Sequence, residues 1–310
     1  MSSAEGLGMG CIVSRDLWKI FGNRVEALKG VSIDIPCGRI TALVGSNGAG
    51  KTTFIRIASG VLKPTSGYIE VLGVDVAREP DRVRSRVALM PQGSLPPGFS
   101  TPLQFISTYL AYRGLSRSEA MSRAREILSE LGLERYANRK CNELSMGTQQ
   151  RVVAAAAIAS RAELVFLDEP TSGLDPIARR GFWSSMLRIR EEGSTIVMTS
   201  HNPDEVEAIA DYVVAMVSGR VVAQGPLRSV VEGIGFSRVV EVYGDGVRIE
   251  GDRVVRIRGI TVTYYRDEAD AERALRSILR SGLRARVRSV GVADILILNG
   301  GDLYGVYEEP

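Results

Sequence analysis

The nine residues Gly45-Ser46-Asn47-Gly48-Ala49-Gly50-Lys51-Thr52-Thr53 combine the types and spacing that phosphate chemistry requires. They follow a short apolar run, Ile40–Val44, that reads as a strand, and they lead into a helical pattern. Glycines let the backbone curl so that successive N–H groups converge on an anion. Lys51 adds a mobile positive charge, and the Thr52 hydroxyl is a hard oxygen ligand suited to Mg²⁺. With 33 glycines and five lysines in 310 residues, independent draws give G-x-x-x-x-G-K-[ST] in roughly one such chain in a hundred or fewer. A phosphate loop, and therefore a nucleotide, accounts for these residues better than a Gly-rich turn with a solvated lysine.

Further polar residues fall at the ends of apolar runs. Asp168 and Glu169 close Leu164–Leu167, where one carboxylate suits Mg²⁺ and the other suits activation of water. His201, the single histidine, closes Thr195–Ser200, at the kind of sheet edge where open α/β folds bind ligands. Gln92 follows Met90-Pro91; alone it is an ordinary loop residue. Ser145 is a natural helix cap with Gly147 close by, a second place where an anion could meet a helix N-terminus, although a plain capped helix fits as well. Phe21, just before Gly22, could stack on a base or belong to the core.

These residues need a scaffold, and the chain is long enough to build one. A 45% hydrophobic and 24% charged composition is that of a globular protein with a buried core. The 39 basic and 36 acidic residues are interspersed, for a net charge of +3, so no nucleic-acid footprint is expected. Cys11, Cys37 and Cys141 match neither a disulfide framework nor a metal spacing, which predicts three free thiols in a reducing compartment. The longest clean apolar run, Val152–Ala159, cannot span a bilayer, and Met1–Gly10 has neither the basic start nor the apolar core of a leader. The cytosol is the expected location.

Residues 11–44 read as short strands, and the stretch Val83–Val87 as a return to the sheet running on through Ala88-Leu89-Met90. Residues 101–140 have a helical pattern, with Ala124, Ile127, Leu128 and Leu131 on one face and Gly132 as the stop. Ser145 then opens the small-residue helix at Val152–Ala159. After Pro226 the character changes to alternating strands around Val239–Val242, Val254–Ile257 and Ile260–Tyr264, a helix near 267–281, and strands around Arg286-Val287 and Ile295–Ile297. This predicts a small α+β companion beginning near 228–235.

The order of phosphate loop, Gln92, the turn at Ser145-Met146-Gly147-Thr148, Asp168-Glu169 and His201 resembles the ATP-binding cassette (ABC) ATPases, in particular nucleotide-binding subunits of ABC transporters, over residues 11–228. The resemblance implies an α/β fold, a P-loop NTPase with a mixed sheet, a β-rich N-terminal subdomain and a helical subdomain at about 93–160. The cassette would cover 1–228, and the α+β accessory domain 229–310.

The resemblance also assigns roles. Phe21 would stack on adenine. Gly45, Ser46, Asn47, Gly48, Ala49, Gly50, Lys51, Thr52 and Thr53 would hold the phosphates, and Thr52, Gln92 and Asp168 would serve Mg²⁺. Glu169 would polarise the attacking water, with Lys51, Gln92 and His201 completing the catalytic set. Ser145 and Gly147 would contact the γ-phosphate held by a second cassette, and Asp175 would lie across the interface.

Two departures stand out: Met146 replaces the first glycine of the usual Leu-Ser-Gly-Gly-Gln, and Thr148 replaces its glutamine. The implied unit is a homodimer or cassette heterodimer around two ATP, docked on a separate transmembrane permease subunit at the inner face of the cell membrane, with no direct nucleic-acid partner. The C-terminal segment resembles the extension found in the drug, lipid or polysaccharide export branch. The alternative, a soluble cassette ATPase acting on nucleic acid or the ribosome, usually has a second cassette, a long coiled coil or zinc-binding cysteines, and none is seen here.

Overall fold

The apolar runs on either side of the predicted site lie at the centre of a mixed sheet. The computed structural model describes residues 10–22, 24–244, 249–257 and 259–300. The leader expectation at Met1–Gly10 therefore falls almost entirely outside the described residues, as does the end of the chain beyond 300.

Two long antiparallel strands open the chain, β1 (Ile12–Phe21) and β2 (Val25–Ile35), followed by β3 (Ile40–Val44) and α1 (Lys51–Ala58). β4 (Ser66–Val71) and β5 (Val74–Asp75) complete a four-stranded sheet in the order β2-β1-β4-β5. Next come α2 (Pro80–Arg86), β6 (Val87–Met90), α3 (Pro102–Tyr112), α4 (Arg117–Glu130) and α5 (Met146–Ala159). β7 (Leu164–Asp168), α6 (Pro176–Glu191), β8 (Thr195–Ser200), α7 (Pro203–Ile209), β9 (Tyr212–Val217), β10 (Arg220–Pro226) and α8 (Leu227–Glu232) follow. The central sheet has the order β10-β9-β3-β8-β7-β6, parallel except for β9 against β10.

Alternation along these strands divides the core in two. Ala42, Val44, Val165, Leu167, Ile196 and Met198 face one side, where α3 to α6 pack, whereas Leu43, Phe166, Val197 and Val214 face α1 and the antiparallel sheet. Burial on both faces explains why these strands are near-continuous apolar runs. Phe166 is fully buried, which contributes about 1.5–3 kcal/mol relative to leaving it in water.

The last part of the chain forms a third sheet, in the order β12-β13-β11-β14, all antiparallel. Its members are β11 (Arg238–Tyr243), β12 (Arg253–Ile257), β13 (Ile260–Tyr265) and β14 (Arg284–Ser289). The amphipathic α9 (Glu268–Arg280) covers one face through Ala271 and Ile278. On the other face lies α10 (Val292–Leu298), whose Val292, Ile295 and Leu296 reach the core beside α7 and β9.

Three expectations need correction. Val83–Arg86 is helical, not strand: Pro80 and Asp81 open α2, and the sheet is rejoined only at Val87. Ile295–Ile297 is the middle of α10, capped where the Gly291 N–H donates to Asp294 Oδ2 at 2.8 Å. Finally, Cys11 and Cys37 form a disulfide, leaving Cys141 as the free, buried thiol. Antiparallel pairing of Ile12 with Ile35 places Cys11 beside the turn that holds Cys37, with Cα atoms 4.8 Å apart, a proximity that a 26-residue separation does not reveal. The three-thiol basis for a reducing compartment falls with it.

Candidate functional site

Parallel register gathers the site on one edge. Val44 pairs with Ser200, Asp168 with Thr199, and Met90 with Leu167, so the chain leaves β3, β8, β7 and β6 toward the same side, carrying Gly45, His201, Glu169 and Gln92 respectively. This is the carboxyl-end crevice where open α/β sheets take ligands.

The glycines of the loop have separate reasons. A side chain at Gly45 would strike the Met216 carbonyl, and a Cβ at Gly50 (φ 100°) would lie 2.6 Å from the Ala27 carbonyl, because the loop rests directly on β9 and β2. Gly50 supplies no side-chain cap to α1, so the first N–H groups of that helix have no side-chain acceptor from the cap residue.

Lys51 is 5% exposed, and its ammonium donates to the Gly45 and Ser46 carbonyls at 2.6 and 3.0 Å. Burial pushes its pKa below the ordinary lysine value, against the opposing pull of Glu169 and Asp168. A phosphate would supply anionic oxygens to a charge that now rests on carbonyls.

The acidic pair is held from two directions. The Thr52 hydroxyl donates to Asp168 Oδ1 at 3.1 Å, and the Thr199 hydroxyl donates to the same oxygen at 2.7 Å. Thr199 Oγ1 also accepts the Glu169 N–H at 2.8 Å. Glu169 has φ 52°, a left-handed conformation costing of order 1–3 kcal/mol that clusters at functional sites. Its Oε1 lies 3.6 Å from Nδ1 of the half-exposed His201.

Thr199 was not singled out from the sequence. It is one of three hydroxyl residues in β8, and its role depends on pairing with a strand about thirty residues earlier.

Thr52 and buried Asp168 (2% exposed) present a hydroxyl and a carboxylate to one another, a hard-oxygen donor set that fits Mg²⁺. Among the described residues there is no cluster of three or more His, Cys, Asp or Glu placed to hold a metal. An ion here would therefore depend on few protein oxygens plus phosphate, which is the habit of Mg²⁺.

Among the described residues, the other candidates have no hydrogen bond or ion pair to this cluster. Phe21 is 41% exposed, and the Lys19 ammonium sits 5.1 Å from its ring centroid, a cation with which a stacked base would have to share the ring. Gln92 is in an exposed turn beyond β6. Ser145 caps α5 by accepting the Thr148 N–H, and a Cβ on Gly147 would lie 3.3 Å from the Gly173 carbonyl. Asp175 caps α6, and the N–H of Ala178 helps hold its carboxyl below the ordinary range. Among the described residues no hydrogen bond or ion pair joins Ser145, Gly147 or Asp175 to the phosphate loop. They form a separate exposed patch in which the turn of Gly147 packs on the turn of Gly173.

Comparison with known proteins agrees with this geometry. The family model described as "ABC transporter" matches residues 28–172. The chain is 30% identical over 291 residues to Nod factor export ATP-binding protein I of Cupriavidus metallidurans, covering 91% of this chain and 95% of that one. It is also 30% identical over 297 residues to the daunorubicin/doxorubicin resistance ATP-binding protein DrrA of Streptomyces peucetius, covering 92% and 89%. A solved ATP-binding subunit of an ABC transporter superposes with TM-score 0.66 at 29% identity, over 73% of this chain and 93% of that one. A dimeric ATP-binding cassette bound to ADP and Pi gives TM-score 0.64 at 25% identity, over 69% and 98%. The sheet-edge cluster and these matches agree: this chain belongs to the ABC transporter family of ATP-binding proteins.

Proposed function

We propose that this ABC ATPase hydrolyses ATP at the edge formed by β3, β6, β7 and β8, as one of two cassettes that close on each other, and that closure drives export through a separate membrane subunit. The observation that carries this is the linked set Lys51, Thr52, Asp168, Thr199, Glu169 and His201 at one sheet edge. ATP would be held by the loop N–H groups, with Lys51 leaving the Gly45 and Ser46 carbonyls for phosphate oxygens. Thr52, Asp168 and Gln92 would hold Mg²⁺, which supplies neutralisation of charge on the phosphates. Glu169, its N–H fixed by Thr199, would orient and deprotonate water, and His201 would steady the transferring group.

The exposed patch of Ser145, Gly147 and Asp175 supports a second cassette as the source of phosphate contacts that these residues do not make among the described residues. Phe21 would receive the base after Lys19 shifts. Residues 1–228 would be the cassette, with the helical part at about 93–160, and 229–310 the accessory domain, whose α10 reaches the cassette core. Among the described residues no helix is long and apolar enough to cross a membrane. The relatives named for Nod factor export and for drug resistance favour an exported cargo and a peripheral position at the cytoplasmic face.

The test is Glu169→Gln. Turnover should fall by on the order of 10²–10⁴, the worth of a general base, while ATP affinity persists and Mg²⁺ with ATP drives dimerisation detectable by size-exclusion chromatography. Undiminished turnover removes Glu169 from this role, and a chain that stays monomeric under those conditions removes the closing pair.

A further inference from the structure

The turn after Glu169 and the turn bearing His201 are joined by a carboxylate with no role in the scheme above. Glu205 lies on α7, four residues beyond His201, and is 2% exposed. Its Oε1 accepts the Thr171 hydroxyl at 2.6 Å and the Trp183 indole N–H at 3.0 Å, and its Oε2 accepts the Ser200 hydroxyl at 2.6 Å. All three donors are neutral. An acceptor-only group is what three converging donors need, since an apolar residue of similar size would leave the buried Thr171 hydroxyl and the half-buried Trp183 N–H without this acceptor, and Ser200 with only the longer 3.4 Å contact to the Asn202 carbonyl.

Each donor belongs to a segment of the site. Thr171 sits in the turn leaving Glu169, where the Ser172 N–H donates to the Glu169 carbonyl and the Leu174 N–H to that of Thr171, on the way to Asp175. Ser200 immediately precedes His201, and its Oγ accepts the Asn202 N–H at 3.0 Å, bracing the turn that presents the imidazole. Trp183 lies on α6, the helix that Asp175 caps.

We propose that Glu205 is a positioning residue of the ATPase site, which holds the His201 turn in register with the Glu169 turn and transmits displacement of the Asp175 segment to His201. Glu205 acts through His201, so this role rests on the assignment of Glu169 and His201 above. A purely structural carboxylate would lower stability without regard to His201.

The experiment measures ATP turnover and ATP affinity of the full chain with Mg²⁺ for Glu205→Ala and Glu205→Gln, each alone and with His201→Ala. Glu205→Ala should lower kcat by about tenfold or more with ATP affinity changed less than about threefold. In the His201→Ala background the same change should cost less than about threefold, because both remove one function. Glu205→Gln should keep more activity than Glu205→Ala, its amide oxygen still serving Thr171 and Trp183.

Unchanged kcat, equal losses in both backgrounds, or a loss of ATP affinity that matches the loss of kcat would each overturn the proposal. Should Glu205→Ala fail to fold, Thr171→Val and Ser200→Ala remove one donor each, and undiminished turnover in both would overturn it equally. The parent assignment fails separately, through Glu169→Gln retaining turnover.

Discussion

Thr199 donates its hydroxyl to Asp168 Oδ1 at 2.7 Å, and its Oγ1 accepts the N–H of Glu169, the residue after Asp168, at 2.8 Å. One side chain on β8 thus sets both the buried carboxylate at the end of β7 and the backbone orientation of Glu169 just beyond it. Thr199→Val keeps the shape and removes both bonds. It should destabilise the fold by about 1–3 kcal/mol, the cost of leaving buried polar groups unpaired. Turnover should fall more than ATP affinity, because the phosphate loop is untouched. Urea unfolding and steady-state turnover check the two parts, and a variant normal in both would show that Thr199 positions neither acid.

The Cys11–Cys37 disulfide closes a 26-residue separation between the start of β1 and the turn into β3. A crosslink of that span contributes about 3–4 kcal/mol by limiting the unfolded chain. Thiol titration of the denatured, unreduced protein should therefore find one free thiol, Cys141, and three after reduction. Reduction should lower the unfolding midpoint. Three titratable thiols without reductant would remove the crosslink.

What was legible in the sequence was local, and what was missed depended on pairing. The loop from Gly45 to Thr53 is contiguous, and its glycines are set by close approach to β9 at Gly45 and β2 at Gly50 and by a φ of 81° at Gly48. Ser145 as a cap and the stops at Asp168 and Ser200 were readable because caps and buried runs are short-range signals. Thr199 and the disulfide were not, since each depends on strand register across a wide sequence gap. The Ile295–Ile297 run reads as a strand in sequence because a short apolar run has no period of its own. Asp294, three residues after Gly291, was the unread capping signal.

Glu241 ties the third sheet together, with Oε2 receiving Arg286 and Oε1 receiving Arg288, both at 2.6 Å. Burial alone would push this carboxyl up, but the hydrogen bonds and charges of the two arginines outweigh it and hold it below the ordinary glutamate range. A depressed folded value means that the unfolded chain binds the proton more readily. The stabilisation is complete above the unfolded value and is lost as pH falls through the folded one. Acid below about 4.5 should therefore weaken this sheet. Glu241→Gln should flatten that part of the stability profile, measured by urea unfolding from pH 6 to about 3. An equally steep decline in the variant would assign the effect to other carboxylates.

Helix α10 is clasped at its start by α7. The Val292 N–H donates to Glu207 Oε1 at 2.9 Å, and Val292, Ile295 and Leu296 share a core with Val206 and Ile209. A methyl group on Gly291 would fall on that same carboxylate oxygen, while the extended backbone there tolerates any residue. Gly291→Ala should therefore act solely by displacing Glu207, freeing the Val292 N–H at a cost of about 1–2 kcal/mol. Amides of α10 should exchange with solvent faster while those of β3 and β8 do not, since local opening need not involve the central sheet. Glu207→Gln, which keeps an oxygen for Val292, should leave α10 protected, and Glu207→Ala added to Gly291→Ala should change little more. Unaltered α10 exchange in Gly291→Ala would mean that apolar contact alone seats the helix.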